Sequence, residues 1–230
     1  MIDNLENYID HSLLAPAADL AAVERWCAEA TRYRFAGVCV LPTWVKAAAE
    51  LLHGTPQKTI CAIAYPTGST TAAGKLYEAQ EAVENGANEL DVAIAYGSVK
   101  MGEIDRVHRE LGAIVEAVGV PVRPIVEFGL LSQDEIKEVV EAALDAGVKG
   151  IKTHTGWYGG VRIADIRFLR ELLPEGMEIK ASGGIGDRQF AIDAIEAGAT
   201  RLGTSKSVSI MTEISQNRSD NNDEVAENLK

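Results

Sequence analysis

Short apolar runs alternate with longer stretches in which apolar side chains return every three or four positions. This alternation fills the chain from about residue 8 to about residue 214. Runs over 8–13, 59–64, 121–127 and 177–181 read as strands. Four more open straight from a helix end, at Phe35-Ala-Gly-Val-Cys-Val, Asn85-Gly-Ala-Asn-Glu-Leu-Asp-Val, Asp145-Ala-Gly-Val-Lys-Gly-Ile-Lys and Glu196-Ala-Gly-Ala-Thr-Arg-Leu-Gly. A glycine in that place takes the left-handed turn that ends a helix. Helical spacing covers 20–34, 72–84, 103–118, 133–144, 163–173 and 188–197. Eight alternating strand–helix units predict a single-domain (β/α)8 TIM barrel over residues 1–214. An open doubly wound sheet is the main alternative, but no Gly-x-Gly-x-x-Gly follows the first clear strand. Residues 215–230 are polar and rich in Asn and Asp, which predicts a disordered tail.

The two-residue period of a strand then sorts the side chains. In the fourth strand Leu90, Val92 and Ile94 share the face that must meet the helices, so Glu89, Asp91 and Ala93 point into the barrel. The same reading sends Arg123 and Glu127 inward from the fifth strand, Gly150 and Lys152 from the sixth, Glu178 and Lys180 from the seventh, and Arg201 from the eighth. A buried ion without a partner is costly, so these opposite signs must compensate one another. A barrel filled for stability alone would use Val, Ile and Leu here. Charges at the C-terminal ends of barrel strands read as catalytic. An ion network that only holds the barrel together is the competing reading.

Two lysines carry the candidate chemistry. Lys152 ends the run in Val148-Lys-Gly-Ile-Lys-Thr-His-Thr-Gly156, and Lys180 ends the one in Met177-Glu-Ile-Lys-Ala-Ser-Gly-Gly184. A neighbouring cation favours the uncharged amine, which attacks a carbonyl and forms a Schiff base. Lys152 is expected to be that amine, with Lys180 as the second cation, hydrogen-bonded to Asp91. Asp91, directly or through a water, is expected to move protons as the imine forms. Two glycine-rich turns, Ala181-Ser-Gly-Gly-Ile-Gly186 and Gly203-Thr-Ser-Lys-Ser207, follow the seventh and eighth strands. Barrels often bind phosphate on the backbone N–H groups of those loops, so Gly183, Gly184, Gly203, Ser205 and Lys206 form a candidate anion site.

Composition narrows this picture. Of 230 residues, 47% are hydrophobic, enough for one large core. The formal net charge of −12 and the lack of a basic run argue against nucleic-acid and anionic-membrane partners. Any anion site must therefore be locally positive. Cys27, Cys39 and Cys61 are odd in number and lack metal-type spacing, which suits a reduced, cytoplasmic protein without a metal. No apolar run matches a signal peptide or a membrane span.

With those residues in place, the chain resembles the deoxyribose-phosphate aldolase family, class I aldolases of the (β/α)8 type. The resemblance rests on Ile9-Asp-His-Ser-Leu-Leu14, Val38-Cys-Val-Leu-Pro42, Tyr65-Pro-Thr-Gly68, Lys75 with Glu78-Ala79, and Glu89-Leu-Asp-Val92. It continues through Ile125-Val-Glu127, Ile151-Lys-Thr-His-Thr-Gly156, Lys180-Ala-Ser-Gly-Gly184 and Arg201-Leu-Gly-Thr-Ser205. It implies reversible cleavage of 2-deoxy-D-ribose 5-phosphate into D-glyceraldehyde 3-phosphate and acetaldehyde. It also implies Lys152 as the Schiff-base lysine, Asp91 as the proton-transfer group and Lys180 as its neighbour, with no cofactor. Asp10 is placed near the substrate hydroxyls, a turn-capping role being the alternative. Barrels of this type often pair through their helices, so a homodimer is expected.

Several residues depart from the family pattern. His154 and Trp157 stand where Ser and Phe are usual, Gly186 replaces an arginine, Lys206 replaces a serine, and Arg123 beside Pro124 replaces a lysine. Pro124 brings no ladder N–H, so the fifth strand is expected to be irregular there. Cys39 is expected to point inward as packing, His53 and His108 to be solvated, and Trp26 and Tyr77 to be core or subunit contacts. Two other functions stay open on the residues alone: another phosphate-binding barrel lyase or isomerase, and a sugar-phosphate-binding protein without turnover.

Overall fold

In the computed structural model, which describes residues 2–213, eight strands close in chain order into one parallel barrel. They are β1 (Ile9–Leu13), β2 (Gly37–Val40), β3 (Lys58–Ile63), β4 (Glu89–Ala93), β5 (Val122–Ile125), β6 (Gly150–Lys152), β7 (Glu178–Ser182) and β8 (Arg201–Thr204). The ring shuts where Ile9 of β1 pairs with Leu202 of β8 and Asp10 with Gly203. Around it run α1 (Leu20–Tyr33), α2 (Val45–Leu51), α3 (Ala72–Glu84), α4 (Tyr96–Lys100), α5 (Ile104–Val118), α6 (Gln133–Asp145), α7 (Ile163–Leu172) and α8 (Arg188–Glu196). A last helical stretch covers 207–213. The tail expected over 215–230 lies outside the described residues.

Polar side chains set where the helices begin. Asp19, Thr71 and Asp187 each accept a backbone N–H at the first turn of α1, α3 and α8. Ser132 and Glu135 bond reciprocally at the start of α6. Each such cap stabilises its helix by about 1 kcal/mol. The outward faces of the strands, with Val38, Cys61, Leu90, Ile151, Ile179 and Leu202, are buried against Val23, Ala79, Leu111, Ile136, Ile166 and Ala191 of the helices. This is the main core. A second apolar cluster, Cys39, Ile60 and Ala62, packs with Leu14 and Tyr65. In the helix layer the fully buried Lys75 of α3 meets Glu110 of α5 at 2.7 Å.

The periodicity draws no helix over 45–51 or 96–100, where α2 and α4 form. Both are too short for an apolar stripe to repeat more than once. The fifth strand also ends sooner than its apolar run, at Ile125 rather than at 127. Its seam with β6 is thin, as Pro124 leads one to expect. Lys149 N–H donates to the Val122 carbonyl and Val126 N–H to the Lys152 carbonyl, both at 3.0 Å, and Pro124 between them has no hydrogen to give.

Candidate active site

The barrel interior holds a lattice of ion pairs. Asp91 of β4 lies at its centre. Its Oδ1 accepts Arg123 Nε at 2.9 Å, while its Oδ2 accepts Lys152 Nζ at 3.1 Å and pairs with Lys180 Nζ at 2.7 Å. The two ammonium groups thus share one oxygen. Lys180 also pairs with Asp10 Oδ2 at 2.7 Å, and Arg201 binds the other oxygen of Asp10. Arg123 reaches Glu89 at 2.5 Å and Glu178 at 2.8 Å, and Arg201 touches Glu89 at 3.4 Å. Four carboxylates therefore face four cations, and the inward parity read for β4, β6, β7 and β8 holds.

Burial alone would raise the carboxyl of Asp91, but Lys152, Lys180 and Arg123 outweigh it and hold Asp91 well below the ordinary aspartate range. Asp10 is likewise lowered against its burial, by Lys180, Arg201 and Arg123. Burial would push the Lys180 ammonium down, yet Asp10 and Asp91 lift it above the usual lysine range. Asp91 is thus ionised at rest and Lys180 is a fixed cation. Cys39 Sγ lies 3.8 Å from Asp91 Oδ2, inside the barrel as expected. Burial raises its thiol despite Lys180 and Lys152, so it stays protonated.

Above this lattice, at the C-terminal ends of the strands, opens a cleft of about 680 Å³. Lys152 lines it, whereas Asp91, Lys180 and Asp10 lie beneath its floor. One wall comes from the loops after β7 and β8, with Gly183, Gly184, Gly186, Gly203, Ser205 and Lys206. The rest includes Leu13, Leu14, Pro16, Trp26, Tyr65, Thr155 and Trp157. Gly183 and Gly184 have φ of 97° and 74°, a backbone that a side chain resists. A Cβ on Gly203 would stand 3.2 Å from Lys180 Cε and 3.1 Å from Ser182 Cβ, so this glycine also makes room for Lys180.

No protein-family model matches the chain. A protein of Trichormus variabilis named deoxyribose-phosphate aldolase is 51% identical to it over 204 residues, which are 89% of this chain and 90% of that relative. The chain belongs to the deoxyribose-phosphate aldolase family. A second family member, from Thermosynechococcus vestitus, is 49% identical over 208 residues, 90% of this chain and 96% of its own length. Among solved structures, the tetrameric deoxyribose phosphate aldolase of Aeropyrum pernix matches with a TM-score of 0.85 at 32% identity, covering 92% of this chain and 91% of that one.

Within this family, the positions where the chain departs from the usual residues sort by place. His154 turns away from the cleft and stacks on Phe128 with ring centroids 5.6 Å apart. Burial lowers its imidazole, with Glu127 and Asp165 pulling the other way. Trp157, Gly186 and Lys206 all line the cleft. Asp10 is fully buried and held by Lys180 and Arg201. It caps no turn and does not line the cleft, so its geometry is that of a support for Lys180.

Two expectations are corrected. Glu127 does not join the lattice: it lies past β5, and its carboxylate accepts both the N–H and the hydroxyl of Thr155. A strand period cannot be carried beyond the strand's end. Trp26 is not mere core. It lines the cleft while stacking on His11 at 5.0 Å, and His11 in turn bonds Glu29 and Ser207. Sequence reasoning also assigned no role to Tyr65, whose hydroxyl donates to the Thr155 carbonyl at 2.7 Å. The tyrosine in Tyr65-Pro-Thr-Gly68 was the available signal.

Proposed function

We propose that this chain is a class I aldolase that reversibly cleaves 2-deoxy-D-ribose 5-phosphate to D-glyceraldehyde 3-phosphate and acetaldehyde. The observation that carries the reading is the shared oxygen of Asp91, which ties Lys152, the lysine facing the cleft, to Lys180, which is buried beneath it. Only Lys152 of this pair can reach a substrate carbonyl.

Lys152 gives a proton to the ionised Asp91, and its free amine attacks C1 of the open-chain sugar. Lys180, charged throughout and paired with the same oxygen, favours the ionised form of Asp91 and so readies it to release that proton again. Loss of water from the carbinolamine, with Asp91 returning the proton to the departing hydroxyl, leaves a protonated imine. Asp91, ionised again, takes the proton of the C3 hydroxyl through a water as the C2–C3 bond breaks. The hydroxyl oxygen becomes the aldehyde of glyceraldehyde 3-phosphate, and the bonding electrons move onto the imine as an enamine. Return of that proton from Asp91 to C2 of the enamine and addition of water release acetaldehyde and restore Lys152. The phosphate lies against the loops after β7 and β8, with Gly183, Gly184, Gly203 and Ser205 as donors and Lys206 supplying positive charge. Pairing through the outer helices into a homodimer belongs to the same proposal, and the particle mass in solution checks it.

Borohydride added with substrate is expected to fix a covalent adduct on Lys152, and Lys152→Ala is expected to lose both the adduct and turnover. An adduct on another residue would overturn the assignment. Turnover without any adduct would favour a different barrel lyase or isomerase, and tight binding without product would favour a protein that only holds the sugar phosphate.

A further inference from the structure

Among the described residues, four that are not glycine have positive φ: Asn4, Arg34, Ala64 and Glu127. Arg34 ends α1, where a left-handed turn is ordinary, and Asn4 is a residue type that tolerates this conformation. Ala64 and Glu127, at 52° and 47°, have no such reason. They follow β3 and β5 on the cleft side of the barrel, and a side chain in this conformation is crowded by its own backbone. Such strain persists where the surroundings over-determine it, commonly beside a functional group.

Both strained residues converge on one point. Glu127 Oε2 accepts the Thr155 N–H at 2.7 Å and the Thr155 hydroxyl at 2.6 Å. Ala64, whose N–H donates to Glu78 Oε1 at 3.1 Å, immediately precedes Tyr65, and Tyr65 donates to the Thr155 carbonyl. Beside Glu127, Val126 N–H donates to the carbonyl of Lys152 itself at 3.0 Å. From the other side, Thr153 N–H donates to the Lys180 carbonyl at 3.0 Å and Ser182 Oγ to the His154 carbonyl at 2.6 Å. The segment from Lys152 to Thr155 is thus gripped from both flanks. The Tyr65 ring stands 5.9 Å from Lys152 Nζ, within reach of an amine that carries charge.

We infer that Glu127 and Tyr65 are positioning residues, which hold Thr155 so that the Lys152 amine meets the substrate carbonyl at a fixed angle. The inference rests on the Schiff-base reading above. A carboxylate suits the task because one of its oxygens takes two short bonds at once. A glycine at 127 would relieve the backbone but leave the buried Thr155 donors unmatched.

The test uses the full chain with Glu127→Ala, Glu127→Gln and Tyr65→Phe. It measures kcat and KM with deoxyribose 5-phosphate, and the rate at which acetaldehyde and borohydride trap Lys152. Misplacing the amine is expected to lower kcat and trapping about 100-fold in Glu127→Ala and about tenfold in Tyr65→Phe. KM is expected to stay within about threefold, because the glycine loops are untouched, and Glu127→Gln to recover most of the rate, its amide oxygen taking the same two bonds. Should Glu127→Ala not fold, Tyr65→Phe carries the test, since it removes a single hydroxyl. A kcat within about twofold of wild type, or a loss confined to KM, overturns the inference. Wild-type protein that traps nothing on Lys152 overturns the Schiff-base reading, and this inference with it.

Discussion

His154 shows how one side chain can be close in sequence to a reactive group and remote from its work. It is two residues from Lys152, yet its ring packs on Phe128, which in turn meets Phe168 of α7 edge-on at 6.1 Å. Burial keeps it neutral below the ordinary 6.5, as it does His11. An unfolded chain binds protons at these two sites more readily than the folded one, so their contribution to stability falls as pH drops below 6.5. His154→Phe should keep the stacking and remove one of the two titrations. Denaturant unfolding between about pH 7 and about pH 5 is expected to show a shallower loss of stability in this variant than in wild type. An unchanged slope would mean that His154 titrates in the fold as it does in the unfolded chain.

At the scale of elements, the apolar rhythm made β1 to β8 and the longer helices readable, because each buries a face whose period is that of its own backbone. The lattice was readable for the same reason: Asp91, Arg123, Lys152, Glu178, Lys180 and Arg201 alternate with apolar neighbours that face outward. What lay past the strand ends was not. Glu127 and Tyr65 take their places from loop conformation, and Trp26, within α1, meets the cleft through neighbours distant in sequence, which no local period records. The Lys75–Glu110 pair was equally hidden, since it joins α3 to α5 across 35 positions. Both side chains are almost wholly buried, so removing one strands the other's charge. Glu110→Ala is expected to destabilise the protein by about 3–5 kcal/mol, read from chemical denaturation. A change below about 1 kcal/mol would mean that water reaches the orphaned lysine.

For the whole molecule, the interior charges set an acid limit. Asp10 and Asp91 have carboxyl groups held below the ordinary 3.8, so the stability they supply is complete above that value and is lost as pH falls through their lowered ones. Lys180 behaves oppositely: its share is complete below the ordinary 10.5 and goes only as alkali titrates it above that. Unfolding followed by circular dichroism should therefore find a wide plateau with a steep acid edge below about pH 4, and Asp10→Asn should blunt that edge. An edge of the same steepness in the variant would place the acid-sensitive charges elsewhere.

The junction of β1 with β8 carries one further consequence. Because Ile9 lies beside Leu202, the architecture has no intrinsic first or last strand. Joining the chain after β8 to the chain before β1 and cutting it anew in the exposed turn at 174–176 would reorder the gene while every strand kept both neighbours. Lys152 and Lys180 would then come from opposite extremities of the polypeptide and still meet over the same aspartate.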